Sequence, residues 1–132
     1  MLLNRLNNRE KKAFLQLAHY VAKVDNEFAK YEKELIQKYS YEMGIENEKI
    51  EKIENLEEVL DIFETEESKN IMFLEIILLI FVDNKFHKFE EQLLYDIMQY
   101  YKIDNIKYEL YVNWAKSMSA MYHQAKALVY MK

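Results

Sequence analysis

The chain has no cysteine and no proline, and its one glycine is Gly44. Without cysteine there is no thiolate nucleophile, disulfide framework, iron–sulfur cluster or Cys-based zinc site, and a reducing compartment is expected. Without proline, and with a single glycine, the chain lacks the residues that punctuate hairpins, sandwiches and barrels. Its abundant Leu, Glu, Lys, Met and Ala favour helix, so the expected fold class is all-α. The same scarcity excludes P-loops and dinucleotide-binding turns, where several glycines must let backbone amides approach phosphate. Long apolar runs are lacking too. The most apolar stretch, residues 71–82, is interrupted by Glu75 and falls short of the ~20 residues that cross a bilayer, so it reads as a buried central helix. The first residues carry charge from Arg5 onward with no signal-peptide core, and a cytoplasmic location is expected.

What is present describes one folded domain. A chain of 132 residues buries roughly two thirds of the surface its unfolded form exposes. A hydrophobic share of 51% with 31% charged residues is that of a globular protein, not a disordered acidic tail. The net charge of −5 is local in origin: residues 42–67 hold 11 of the 23 acids and only Lys49 and Lys52 among the bases. The remaining bases are interspersed with acids rather than gathered with aromatics on one strip, which argues against a nucleic-acid partner.

Helical spacing organises the rest into a bundle of about six or seven helices. Phe14, Leu17, Ala18, Val21 and Val24 recur at steps of 3, 4 and 7, the stripe of a first helix. Asn7 followed by Glu10 reads as a capping box that starts it. Tyr31, Leu35, Ile36, Tyr39 and Met43 stripe a second helix, with Gly44 placed as its left-handed terminator. Residues 46–63 carry Ile50, Ile53, Leu56, Val59, Leu60 and Phe63 on an acidic background, which predicts one or two short surface helices. Residues 65–70 read as the loop before a third long helix at about 70–82. A partner at about 88–101 is striped by Phe89, Leu93, Leu94, Ile97 and Tyr101. Residues 105–132 form a closing amphipathic helix with Tyr108, Tyr111, Val112, Ala115, Met118, Met121, Tyr122, Ala125 and Val129 inward and Trp114 near its middle.

Displacing the sequence against itself by 58 residues reveals a repeat. Residues 24–32 read Val-Asp-Asn-Glu-Phe-Ala-Lys-Tyr-Glu and residues 82–90 read Val-Asp-Asn-Lys-Phe-His-Lys-Phe-Glu. Leu35 then matches Leu93, Ile36 matches Leu94 and Ile45 matches Ile103, all at positions the helical period buries. Duplication of one helix-loop-helix unit is the economical explanation. The expected organisation is a single domain over 1–132, with repeat one at about 10–45, an acidic connector at 46–69, repeat two at about 70–103 and the closing helix after it.

The repeated segment resembles the signature of the TerB-like, or tellurite-resistance, family, in which an Asp-Gly pair ends one helix and a Glu follows seven residues after that Asp. The resemblance covers about residues 10–103. Asn26 and Asn84 stand where the family has glycine, and Asn tolerates the left-handed region better than other non-glycine residues. Ala29 and His87 stand where the family often has a capping Ser or Thr. The resemblance implies a non-enzymatic module in a stress-linked or membrane-associated assembly, with Asp25, Glu32, Asp83 and Glu90 as an oxygen-rich site for a hard divalent cation, Ca²⁺ or Mg²⁺. The simpler reading of the same residues is structural: each Asp accepts loop amides, and each Glu satisfies an orphan N–H in the first turn of its helix. An EF-hand does not fit, because its twelfth position would be Ile36 or Leu94.

Other constellations carry less. Glu75, alone in an apolar helix, is a secondary candidate against the plainer accounts of an edge position or a hydrogen-bonded core acid. His19, His87 and His123 lack zinc-ligand spacing, and Ser40, Ser68, Ser117 and Ser119 lack a glycine-rich nucleophile elbow. The alternative to the cation-binding module is a metal-free adaptor that docks a protein partner through its aromatic last helix or acidic connector. A hydrolase using Asp83, Glu90 and Glu75 around a metal ranks third.

Overall fold

The computed structural model describes residues 2–24, 30–45, 51–82 and 88–132, and within them all side chains except those of 23, 24, 30–33 and 35. Among these residues every regular element is a helix, and there are no strands. A 3₁₀ turn at Leu3–Arg5 precedes α1 (Asn8–Val24), α2 (Lys30–Met43), α3 (Leu56–Leu60), α4 (Glu66–Phe81), α5 (Lys88–Tyr101) and α6 (Asn105–Val129).

Each long helix starts or stops on local chemistry. Ahead of α1, Asn7 Oδ1 accepts from the Glu10 N–H at 2.8 Å while Glu10 Oε1 accepts from the Asn7 N–H at 2.9 Å, the reciprocal box that satisfies two orphan donors. At the end of α2, Gly44 takes φ +68°. The Gly44 N–H donates to Tyr41 O and the Ile45 N–H to Ser40 O, both at 3.1 Å, which closes a Schellman motif. Asn55 caps the short α3 through the Glu57 N–H, and Asp104 caps α6 through the Lys107 N–H at 2.8 Å.

The start of α4 corrects the sequence reading. Residues 65–70 were expected to be a loop with helix from about 70, but α4 begins at Glu66. Thr65 Oγ1 accepts from the Ser68 N–H at 3.0 Å, and Ser68 Oγ accepts from the Thr65 N–H at 3.2 Å, a capping box built with Ser in place of the usual Glu or Gln.

The core gathers around α4, which is buried on nearly every side through Ile71, Met72, Phe73, Ile76, Ile77, Leu79, Ile80 and Phe81. A helix apolar all round belongs in the middle of a bundle. It lies against α1 and α6 and against the N-terminal turn. Helix α1 packs against α2, α3 and α4, so it buries Ala13, Leu15 and Ala22 in addition to the expected stripe. From α6, Tyr108 and Tyr111 set their rings against Phe73 at 6.4 and 5.9 Å. Ser119 and His123 of α6 both reach the carbonyl of Val82, one of the orphan acceptors at the end of α4.

Three of the four boundaries of the two helix pairs correspond, and the fourth, the end of α1 and of α4, differs by one residue. Adding 58 to the limits of α2 gives those of α5, and adding 58 to Asn8 gives Glu66. The capping boxes correspond, Asn7 with Thr65 and Glu10 with Ser68. So do the terminators: Lys102 occupies the place of Gly44, holds φ +57°, and is followed by Ile103, whose N–H donates to Met98 O at 2.9 Å.

Candidate functional site

Of the four repeated acids, Asp25 and Asp83 lie outside the described residues, as does the side chain of Glu32, which falls in the first turn of α2. Glu90 lies in the first turn of α5 and is 2% exposed. Burial of an ionised carboxylate is unfavourable unless hydrogen bonds, ion pairs or a cation compensate it, and a helix N-terminus is a favourable place for that charge. Among the described residues, no three His, Cys, Asp or Glu side chains gather as a metal-holding group.

Glu75 is a core acid, not an edge residue. It is 1% exposed in the middle of α4, and its Oε1 accepts from the Leu2 N–H at 3.2 Å. The Tyr39 hydroxyl donates to the Glu75 carbonyl at 3.4 Å. Burial pushes the Tyr39 phenol well above its ordinary value, and the charges of Glu75 and Glu42 add to the effect. Glu75 thus fastens the N-terminal segment to α4, while Tyr39 fastens α2 to it.

The tyrosines of the last third, for which a docking face and core packing were equally expected, mostly serve packing. Tyr101 donates to the Leu60 carbonyl at 2.6 Å, satisfying the end of α3, and burial is the main cause of its raised pKa. Tyr100 donates to Asp61. Tyr108 and Tyr111 cover Phe73, and burial raises both phenols.

The surface that remains apolar is a different one. An open groove of about 570 Å³ runs between α5 and the start of α6, with Leu94, Met98, Ile103 and Tyr108 in its wall, Tyr95 at its rim and Lys88 and Glu91 at one end. The outward side of α6 presents Ile106, Leu110, Met121 and Leu128, each between 62% and 74% exposed. At 100° per residue, these four and the exposed Asn113, Ser117 and Gln124 fall within an arc of about 80°. No charged residue lies in that arc. Lys107 instead turns to Asn70, Lys116 leans over the Phe81 ring at 5.5 Å, and Lys126 pairs with Glu34 at 3.8 Å.

The sequence reading missed this surface because it followed the majority stripe of each helix, and it set Met121 and Val129 on the inward stripe of α6, where the structure leaves them 62% and 76% exposed. The available signal was the set of large apolar residues left off those stripes: Tyr95 on α5, and Ile106, Leu110 and Leu128 on α6. No described helix is long and apolar enough to cross a membrane. Comparison with family models, with curated proteins and with solved structures returned no match in any of the three.

Proposed function

We propose that this protein is a non-enzymatic, cytoplasmic interaction module of the TerB-like kind, working in a stress-linked or envelope-associated assembly, with the outward side of α5 and α6 as its docking surface. The observation that carries this reading is the uncharged arc of α6, with four large apolar side chains in water. Apolar residues scattered singly over a surface are ordinary, but several on one uncharged side of a helix mark a place where another surface sits. The three shared boundaries of α1–α2 and α4–α5 at one displacement support the duplicated unit on which the family resemblance rests.

The docking reading is tested in the cells the protein comes from, with a photo-crosslinking amino acid at Leu110 or Met121 and, as a control, at the exposed Tyr41 of α2. Adducts of discrete mass from the two α6 positions but not from Tyr41 are expected. No adduct from either α6 position overturns the reading.

Within the same proposal, Asp25, Glu32, Asp83 and Glu90 hold a divalent cation, Ca²⁺ or Mg²⁺. The repeated segment that carries them supports this part. Calorimetric titration of the metal-free protein tests it, with an Asp83→Asn, Glu90→Gln variant checked for folding by circular dichroism. Saturable binding that vanishes in the folded variant is the expected result. A wild type that binds neither ion overturns the cation site and leaves the acids as turn and helix caps.

A further inference from the structure

We propose that Met121 is an oxidation site: its thioether takes one oxygen atom from hydrogen peroxide, and the sulfoxide formed there weakens docking on the outer arc of α6. The second half of this inference rests on the docking reading above and supplies its regulation.

The chain has no cysteine, so methionine is the sulfur that an oxidant meets. Burial sorts the methionines whose side chains are described. Met72 and Met43 lie in the core, 0% and 4% exposed, and Met98 and Met118 are half-buried. Met121 and Met131 stand in water, 62% and 74% exposed. Of these two, Met131 lies beyond the end of α6, whereas Met121 is within the helix. Eleven residues are close to three whole helical turns and seven are close to two, so Met121 falls within about 20° of both Leu110 and Leu128 around the axis. It therefore sits inside the uncharged arc, with a large apolar neighbour toward either end.

The chemistry is a two-electron oxygen transfer. A sulfur lone pair attacks one oxygen of hydrogen peroxide, and the O–O bond breaks as the S–O bond forms. The proton of the transferred oxygen passes to the departing hydroxide, which leaves as water. Sulfur is oxidised by two electrons and the peroxide is reduced by two. No unfolding is required, because the side chain already faces solvent. The product is a polar, chiral side chain in place of a flexible apolar one, and a sulfoxide reductase reverses the change. In that reversal a dithiol supplies two electrons and two protons, becomes a disulfide, and the oxygen leaves as water. While the arc faces solvent, water hydrogen-bonds the sulfoxide oxygen and the fold is not penalised. Burial of the arc against an apolar surface strips that water away, so the cost falls on docking alone.

The test has two readouts. Purified protein is treated with a graded series of hydrogen peroxide and mapped by mass spectrometry after tryptic cleavage. Cleavage after Lys116 and Lys126 separates residues 117–126 from 127–132, and fragmentation then resolves Met121 from Met118. Oxygen uptake at Met121 at least about tenfold faster than at Met43 and Met72, with the circular dichroism unchanged, is expected from its exposure. A Met121 that reacts no faster than those two overturns the site. In cells, the photo-crosslinking residue at Leu110 is used with and without peroxide. Its adducts are expected to fall at least about fivefold on treatment, the effect of burying one unpaired polar group, in wild type and in Met131→Leu. They are expected to persist in Met121→Leu, which keeps the arc apolar without a sulfur, and to be lost without peroxide in Met121→Gln. Adducts that survive oxidation of Met121, or that peroxide removes equally from Met121→Leu, overturn the switch and leave the docking reading in place. Absence of Leu110 adducts before any peroxide is added overturns the docking reading and the switch with it, while the mass map alone decides the oxidation site.

Discussion

Gly44 and Lys102 end the second helix of each pair with the same backbone, and exchanging their residue types measures what that backbone costs. Both hold positive φ, +68° and +57°, and both are followed by an isoleucine whose N–H closes the terminating ring. In the left-handed region a Cβ crowds the following carbonyl, a cost of about 1 kcal/mol relative to glycine. A Cβ added at Gly44 would meet nothing within 4 Å, so the cost of Gly44→Ala is conformational, not steric, and should be about 1 kcal/mol. Lys102→Gly runs the other way: the strain is relieved, while the greater freedom of glycine in the unfolded chain offsets part of the gain. A net stabilisation of about 0.5–1 kcal/mol follows, which for a chain of this size raises Tm by about 2–5 °C. Lys102→Ala retains the strain and removes only an exposed side chain, so it should stay within about 0.5 kcal/mol of wild type. Thermal unfolding followed at 222 nm on the three variants checks the ordering. A Lys102→Gly protein that melts below wild type would refute the reasoning, because it would show that the lysine side chain contributes more than its backbone strain costs.

Three further outcomes follow from named contacts. Thr65→Ala removes one half of the capping box that starts α4 and is expected to cost about 1 kcal/mol in urea unfolding; no measurable loss would show that packing alone sets the start of α4. Phe73→Ala empties a fully buried site against which both Tyr108 and Tyr111 rest. A loss of about 3–5 kcal/mol is expected, with an early loss of near-ultraviolet tyrosine signal, and a loss under 1 kcal/mol would contradict the packing described. Tyr39 and Tyr101 have phenols raised above the ordinary value of about 10. The unfolded chain therefore releases these protons first, so stability is flat below about pH 10 and falls above it. Absorbance at 295 nm should show these two ionising above the ordinary tyrosine range, and Tyr39→Phe with Tyr101→Phe should flatten the alkaline loss; an unchanged alkaline slope would refute the assignment.

Where a helix has one apolar face and a chemically distinct end, the sequence was legible. The Asn7–Glu10 box, the Gly44 terminator and the limits of α5 are of this kind. Where apolar residues surround the helix, periodicity loses its signal, because no direction is preferred. That is the case for α4, and its start was misplaced from residue 66 to about 70 for this reason. The missing information was present in another form. The 58-residue displacement, carried back from the repeated turn to Asn7 and Glu10, lands on Thr65 and Ser68, and a box already recognised once would have placed the second. The substitution of Ser for Glu at the third position concealed the correspondence, since the two residue types close the same ring with different atoms.

The outer arc of α6 was obscured by a related cause. Helix α6 carries apolar residues on two sides: an inner side, where Tyr108, Tyr111 and Ala115 meet α4, and an outer arc from Ile106 to Leu128. A search for one stripe accepts the inner side and treats the outer residues as exceptions. What separates a buried two-sided helix such as α4 from an exposed one such as α6 is the placement of charge. Apart from Glu75, α4 has no charged residue after Lys69, whereas α6 retains Lys107, Glu109, Lys116 and Lys126. For a helix lying on the surface of a lone domain, solvation places those ammonium groups outward, away from the core. In α6 Lys107, Lys116 and Lys126 lie off the outer arc and meet Asn70, Phe81 and Glu34, and the direction facing water is left to isoleucine, leucine, methionine and uncharged polar side chains. The proposed docking of the outer arc accounts for both halves of that arrangement, because burial favours apolar residues in the arc and excludes lysines from it.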